Sequence, residues 1–477
     1  MVERCAAAAC LAALLLLGTA TAAAADWTTF GHDLARTNEN PAESKLGPAN
    51  APSLREVWAA PLQGAANAQP LVVSGVRLAG GRRVQIVLAA TEDGVLSAHD
   101  ATTGRRIWRR ALGVQHTRCS DLPGGRYGIS STPVVDRARG LVYAQAGDGR
   151  AHAVALGTGR ELRGGWPVTV SPAPAREYVW GALALRAGRL YAATSSHCSR
   201  TFYRGRIVAI DVRRARIVAS WLSLGPRRRG GGMWGWGGMA IDAENGDVFA
   251  ATADALVPPA NGPGADSLHR LTARLRLRAR DQPPTPPVQN AEFGGVPLLL
   301  RAPGCPRQLV VTHKSGLLFL YDRDRLRAGP RQALQIGRRG LLAAFGTYAW
   351  SASRRTLFVA NNSAGDLPQG LLALRLTPAC RLELAWAQPA GPDPGALSPP
   401  VTANGVVYLA TGYHRHVMAF AADTGQVLWT SPRLNGGAYG GPAVASGRLF
   451  VAAWDGLLHA YAPGPIPARQ ATLRPGP

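Results

Sequence analysis

Val84–Ala90, followed by Asp93-Gly94-Val95-Leu96-Ser97-Ala98-His99-Asp100 and Thr103-Gly104-Arg105-Arg106-Ile107-Trp108, is the stretch from which the fold is read. An apolar run ends in Ala, an Asp-Gly turn reverses the chain, and a second run ends at Asp. A Thr-Gly turn then leads to a last run that ends in Trp. Short runs bounded by Gly-containing turns are the pattern of antiparallel strands. The same template returns at Thr132–Asp136, Leu141–Ala144, Asp148-Gly149 and Thr158-Gly159 on to Trp166. It returns again at Pro400-Val401, Val406–Ala410, Val417–Ala421 and Asp423-Thr-Gly-Gln-Val-Leu-Trp429.

Weaker copies fill the intervals. One is Leu183–Leu185, Leu190–Thr194, Ile207–Asp211 and Val218–Trp221; the next surrounds Val248–Ala251 and has a degenerate outer half, Leu268–Leu277. Two more run through Val296–Leu300, Leu309–Thr312, Leu317–Asp322 and Ala333–Ile336, then Thr347–Trp350, Thr356–Ala360, Leu371–Leu374 and Leu382–Trp386. The last copy, Pro442–Val444, Leu449–Ala453 and Leu457–Tyr461, lacks a fourth strand, and Leu54-Arg-Glu-Val-Trp58 near the start is an unpaired one. Pairing the two closes a ring and hides two sheet edges. Repeats of roughly 40–60 residues fit four-stranded blades better than helical pairs. The expectation is an all-β, eight-bladed propeller of four-stranded antiparallel blades over 26–462, closed by the N-terminal strand and built as a monomer. Trp58, Trp108, Trp166, Trp221, Trp386 and Trp429 hold matching positions, which suits wedges between blades.

Composition sets the compartment. Arg4 precedes the Ala/Leu-rich run Ala6–Ala25, and Ala23-Ala24-Ala25 offers a cleavage site before Asp26. This reads as a signal peptide over 1–25 of an exported, envelope or extracellular protein, with a retained anchor as the alternative because Glu3 offsets Arg4. No later run is long and apolar enough to span a bilayer. The Pro/Arg-rich tail 463–477 is expected to lie outside the ring. The formal charge of +24 comes from 53 basic and 29 acidic residues, and every basic residue except Lys45 and Lys314 is Arg. Spread along the chain, this is a solvated surface; Arg227-Arg-Arg229 is the local run suited to an acidic polymer, a lipid head group or a phosphate. Without a reading motif, the charge implies no specific nucleic acid.

Beyond the leader remain Cys119, Cys198, Cys305 and Cys380, an even number suited to two disulfides. If each blade runs from its inner strand outwards, Cys119 and Cys198 fall on one face, and Cys305 and Cys380 on the other. Pairing within each face is geometrically open, whereas crossed pairs would bridge opposite faces. No Cys-x-x-Cys or dense Cys/His cluster points to structural zinc or haem. Gly-x-Ser-x-Gly and Gly-x-x-x-x-Gly-Lys are absent, so neither a nucleophile-elbow hydrolase nor a P-loop enzyme is indicated.

Gly230-Gly-Gly-Met-Trp-Gly-Trp-Gly-Gly-Met-Ala-Ile-Asp242 departs from the template. Glycine lets neighbouring backbone approach the flat faces of Trp234 and Trp236. Those two and Trp350 lie off the wedge position. Tyr127 and Tyr439 fall in inter-blade loops, where packing of the loop is the simplest role and lining the mouth of the axis the alternative.

The Asp-x-x-Thr-Gly-x-x-x-Trp repeats resemble the tryptophan-docked blades of the pyrroloquinoline quinone (PQQ) dehydrogenase superfamily. It includes exported alcohol and polyvinyl-alcohol dehydrogenases, and non-catalytic relatives such as the outer-membrane assembly propeller. The resemblance covers the chain from Trp27 to about Ala462. It implies a quinone over a tryptophan floor at Gly230–Trp236, with Trp234 favoured over Trp236. Asp254 would ligate Ca²⁺, Glu292 in Asn290-Ala-Glu-Phe-Gly-Gly295 would stand for the catalytic Asp, and Lys314 in His313-Lys-Ser-Gly316 would touch the quinone carbonyls. Two departures stand out. The family's adjacent cysteine pair is a single Cys119, and its metal-binding Glu falls near Arg200. No Cys-x-x-Cys-His supplies a haem.

Two functions follow as expectations. The first is an exported scaffold with a degenerate quinone site, binding a small molecule, a polymer, or an envelope or protein partner. The alternative is a PQQ- and Ca²⁺-dependent oxidoreductase acting on alcohols or polyols, with Glu292 as base and Lys314 or Ca²⁺ polarising the acceptor.

Overall fold

The structure, a computed structural model, describes residues 25–196, 198, 203–257, 259–285, 290, 292–338, 347–390 and 396–465. The expected leader (1–25, but for its last residue), the tail beyond 465, most of the Arg200 region and residues 286–289 of the Pro-rich loop lie outside them. Eight four-stranded antiparallel sheets are arranged as expected. Blade 1 comprises Leu71–Arg77, Arg83–Ala90, Val95–Asp100 and Arg106–Ala111, and each later blade repeats that inner-to-outer order. Blade 4 is Ala240–Ile241, Val248–Ala251, Leu268–Leu271 and Leu277–Asp281, so its degenerate outer half still forms strands. Blade 5 is Leu298–Leu300, Gln308–Thr312, Leu317–Asp322 and Gln332–Gln335. Blade 8 takes its outer strand, Leu54–Pro61, from the other end of the chain, paired antiparallel with Leu457–Pro463. That latch converts the only two free ends of the array into a joint.

Middle strands such as Leu141–Gln145 and Val406–Ala410 are buried along their whole length, because both faces of a blade are covered by neighbours. The wedge tryptophans explain the Thr-Gly turns. The rings of Trp58, Trp108 and Trp386 lie on Gly104, Gly159 and Gly425 of the next blade, where an added Cβ would come within 2.7, 2.7 and 2.6 Å of ring carbons. Each indole N–H is satisfied by a carbonyl, at Ala101, Leu156 and Ala422 respectively. Trp166 packs instead in one cluster with Ala215, a residue that holds φ +49. The outer strands of blades 4 and 5 carry no Trp. At that joint an Arg/Asp network takes over, with Arg270 Nε 2.7 Å from Asp247 Oδ2 and Arg307 Nη2 2.6 Å from Asp324 Oδ1.

Both disulfides join the expected pairs, Cys119–Cys198 and Cys305–Cys380. Trp350, off the wedge position, is simply core: it is buried among Leu298, Leu357 and Leu374. Tyr127 is likewise packed away, its ring 4.3 Å from that of Tyr178.

The axis is not an open pore. The segment from Trp27 to Asn40 is bonded to all eight blades, at or beside the inner strand. Trp27 bridges Val72, and the N–H groups of Val135, Ile241, Leu299, Trp350 and Thr402 donate to the carbonyls of Thr28, Leu34, Ala35, Thr37 and Asn38. In the remaining two, Arg36 donates to the Leu183 carbonyl and Asn40 to that of Val444. Inner strands have one unpaired edge, and this segment satisfies it. Arg36, 1% exposed, also donates to Met239 O, Phe30 O and Thr29 Oγ1. Burial pulls its guanidinium down to about 10, with Asp33 opposing.

Candidate functional site

Above this plug, loops of blades 3, 4 and 5 are stacked edge to edge, and glycine is what permits it. A Cβ on Gly230 would meet the Asp254 carbonyl oxygen at 2.6 Å, and one on Gly235 would meet that of Gly294 at 2.7 Å. The backbone is cross-linked there: Gly231 N donates to Asp254 O, Ala253 N to Gly232 O, and Lys314 N to Glu292 O. This lattice carries Trp234 from the connection after blade 3, Asp254 from the end of blade 4's second strand, and Glu292 from the connection to blade 5. Lys314 comes from the turn after blade 5's second strand.

Four of the five expected hub residues therefore converge. Lys314 Nζ donates to Glu292 Oε1 at 2.6 Å and to Asn290 Oδ1 at 2.7 Å, and lies 4.9 Å from the centre of the Trp234 ring. Glu292 Oε2 accepts from the Asp254 N–H at 3.0 Å, and Asp254 Oδ2 accepts from the Asn290 N–H at 2.9 Å. Lys314, Glu292 and Asp254 are all buried, while Trp234 is half-buried. Trp236 does not share this role. Its ring packs on Phe30 and Ala182 and meets Trp180 edge-on at 5.4 Å, so it joins the plug to the hub instead of offering a platform.

The electrostatics follow from two carboxyls and one ammonium. Burial pushes the Glu292 carboxyl up, but the Lys314 charge and hydrogen bonds outweigh it and hold Glu292 below the usual carboxylate range. At Asp254 the opposing pull of the Lys314 charge is outweighed. Burial, then the Glu292 charge and hydrogen bond, push it up to about 7. The two acids are thus pushed in opposite directions, Glu292 towards its charged form and Asp254 towards its neutral one. Burial and the same two acids also raise the nearby Tyr203 phenol.

A calcium-bound quinone does not fit these residues. The place between Glu292 Oε1 and Asn290 Oδ1, where an oxygen-bound cation would sit, is filled by the Lys314 ammonium. The same ammonium lies against the Trp234 ring, where a stacked quinone would need to lie. Asp254, expected as a metal ligand, spends one oxygen on the Asn290 N–H. Arg200, near the family's metal-binding Glu, is outside the described residues. Cys119, Asp121 and Cys198 form the one group of three metal-type side chains among the described residues, but both thiols are in the disulfide.

Asn290 was quoted in its motif without a role, although it supplies both the backbone donor to Asp254 and the side-chain acceptor for Lys314. Its φ of +65 is a conformation Asn tolerates better than most residues. Around the hub, Trp180, Tyr439 and Trp454 are half-buried, with Tyr439 and Trp454 4.5 Å apart. Tyr439 is thus a loop residue that also faces the hub cluster.

Comparison with known proteins agrees with this architecture. The quinohemoprotein alcohol dehydrogenase of Comamonas testosteroni is similar in fold, with 18% identity, a TM-score of 0.69, and 94% of this chain and 82% of that one covered. A europium-containing methanol dehydrogenase matches with 15% identity and a TM-score of 0.69 over 92% of this chain and 98% of that one. BamB from Moraxella catarrhalis matches with 14% identity and a TM-score of 0.52 over 86% and 97%. Curated protein sequences give no significant match. A family model described as outer membrane protein assembly factor BamB matches residues 43–254 and 382–464, more than half of the chain. Eight four-stranded blades and that match together place the chain in the family of the outer membrane protein assembly factor BamB, the PQQ-like propellers.

Proposed function

We propose that this chain is an exported binding scaffold of the cell envelope whose ancestral quinone site has become a fixed internal ion pair. The observation that carries this reading is the Lys314 ammonium held between Glu292 and Asn290 against Trp234. A side chain that fills the cation's place makes the hub self-sufficient, and removes the need for a bound metal to balance Glu292. Two disulfides suit an oxidising compartment, and no helix among the described residues is long and apolar enough to cross a membrane. Trp180, Trp234, Tyr439 and Trp454 present half-buried rings for a small aromatic or anionic ligand, a polymer segment or a protein partner.

A second reading, a PQQ-dependent alcohol or polyol dehydrogenase, is favoured by the convergence of Trp234, Glu292 and Lys314 and by the Asp254 carboxyl at about 7. The deciding experiment adds PQQ and Ca²⁺ to the purified chain and follows cofactor binding together with dye-linked oxidation of alcohols. The scaffold reading expects neither. Binding at micromolar PQQ with turnover would establish the enzyme instead, and turnover surviving Glu292→Ala would remove only the assigned base.

A further inference from the structure

At the joint between blades 4 and 5, on the outer rim and away from the hub, the wedge Trp is missing and a surface groove of about 420 Å³ takes its place. Arg270 and Arg278 of blade 4 form one wall; Asp324, Arg325 and Arg327 of the turn after blade 5's third strand form the other. The carboxylates at this joint are already committed. Arg270 and Arg278 share the buried Asp247, with Nε–Oδ distances of 2.7 and 3.1 Å. Asp324 is gripped from outside the groove by Arg307, with 2.7 and 2.6 Å bonds to its two oxygens, and is also 3.3 Å from Arg270. Among the described residues, neither Arg325 nor Arg327 is in an ion pair. Arg327 Nη2 donates instead to the carbonyl oxygen of Arg278, at 2.9 Å, which brings two guanidinium-bearing residues together.

The walls are thus oversupplied with positive charge. The neighbouring Arg323 feels the same crowding: burial pulls its guanidinium below the ordinary range, and Arg307 and Arg301 add to that while Asp242 opposes it. The turn that carries two of the cations is anchored. Leu326, between Arg325 and Arg327, is 1% exposed and anchored in a core cluster with Phe319 and Tyr321. Guanidinium groups carried on two facing elements match the forked oxygens of a phosphate.

We infer that this groove is a binding site for a phosphate group, taken by Arg325 and Arg327 from one side and by Arg270 and Arg278 from the other. The dianion supplies the negative charge that the joint lacks, and it cross-links blades 4 and 5 where no Trp does. A soluble phosphate ester and a phospholipid head group offer the same chemistry.

The test uses the full mature chain at fixed ionic strength, with inorganic pyrophosphate followed by calorimetry and vesicles of phosphatidylglycerol or phosphatidylcholine followed by co-sedimentation. The double variant Arg325→Ala/Arg327→Ala alters exposed side chains only. Its charge-matched control, Arg213→Ala/Arg216→Ala, removes two exposed guanidiniums from blade 3. Pyrophosphate affinity should fall at least about tenfold in the first and less than about twofold in the second. Anionic-vesicle binding that falls in parallel identifies a head group as the source; a loss confined to pyrophosphate identifies a soluble phosphate. Equal losses in both variants would mean attraction by net charge alone and would overturn the site, as would no binding of either probe by the wild-type chain.

Discussion

Trp58, from the strand that latches the ring, lies on Gly104 of blade 1 so closely that a Cβ there would be 2.7 Å from two ring carbons. Its N–H reaches the Ala101 carbonyl at 3.3 Å. Gly104 also holds φ +71, so Gly104→Ala both crowds the indole and strains the backbone. A loss of about 2 kcal/mol is expected from it, and about 3 kcal/mol from Trp58→Ala, read as a lower denaturant midpoint. An unchanged midpoint in both would mean that the latch is not held by this contact.

Arg36 makes a sharper prediction because it works where no water reaches. Replacing it by Leu leaves the carbonyls of Phe30, Leu183 and Met239 without their donor in the closed axis. Buried acceptors stripped of a charged partner cost more than a surface change, so a loss above about 3 kcal/mol is expected, with a lower yield of folded protein. Thermal unfolding with the wild-type midpoint would show that the plug is dispensable.

The latch is also sensitive to pH. His459 is flanked by Glu56 of the N-terminal strand at 2.7 Å and by Asp455 at 3.2 Å. Burial lowers its affinity for a proton, but the two carboxylates outweigh this and raise its pKa above the usual imidazole value. Asp455 is pushed up by burial and, more strongly, down by His459, so it ends below the ordinary carboxylate range. The stabilisation from the charged imidazole is complete below its unfolded pKa of 6.5 and is lost as pH rises through the higher folded value. That from Asp455 is present above its unfolded value of 3.8 and is lost as pH falls through the depressed one. Melting temperature should therefore be highest between those limits. Glu56→Gln should flatten the alkaline side; an unaltered profile would assign the slope to other groups.

Much of this was legible in the sequence because ring closure needs few, repeated signals. The matching positions of the tryptophans pointed to wedges between blades, and the structure adds that Trp58 and Trp108 lie on the Thr-Gly glycines Gly104 and Gly159. The blade map also put Cys119 with Cys198 and Cys305 with Cys380, since only same-face loops meet. The plug escaped notice: Trp27–Asn40 has no period, and its carbonyls bond through the backbone, which leaves no residue-type signature. At the hub, the family resemblance pointed to Glu292, Lys314 and Asp254, but not to Lys314 turning inwards to Asn290. Trp236 was misjudged because an indole between glycines looks alike as a platform and as a plug; only contact with Phe30 separates them.

Asp254 offers a test of this opposition between the two acids. Its carboxyl stands at about 7, raised by burial and then by Glu292, against 3.8 when unfolded. Across that interval the folded chain keeps a proton that the unfolded chain has released, so this group erodes stability as pH rises. Asp254→Asn should raise the melting temperature relative to wild type at pH 8 and do so less at pH 5. An equal effect at both values would mean that Asp254 titrates normally.

The central claim is that Lys314 is the cation of the hub, and terbium luminescence sensitised by the adjacent Trp234 measures it most directly. In wild type, with Nζ 2.6 Å from Glu292, titration of Tb³⁺ should give no saturable emission that Ca²⁺ displaces. Lys314→Ala frees the Glu292 and Asn290 oxygens and should create one. Saturable, Ca²⁺-displaceable emission from the wild-type chain, abolished by Glu292→Gln, would contradict the account and return the hub to a metal site.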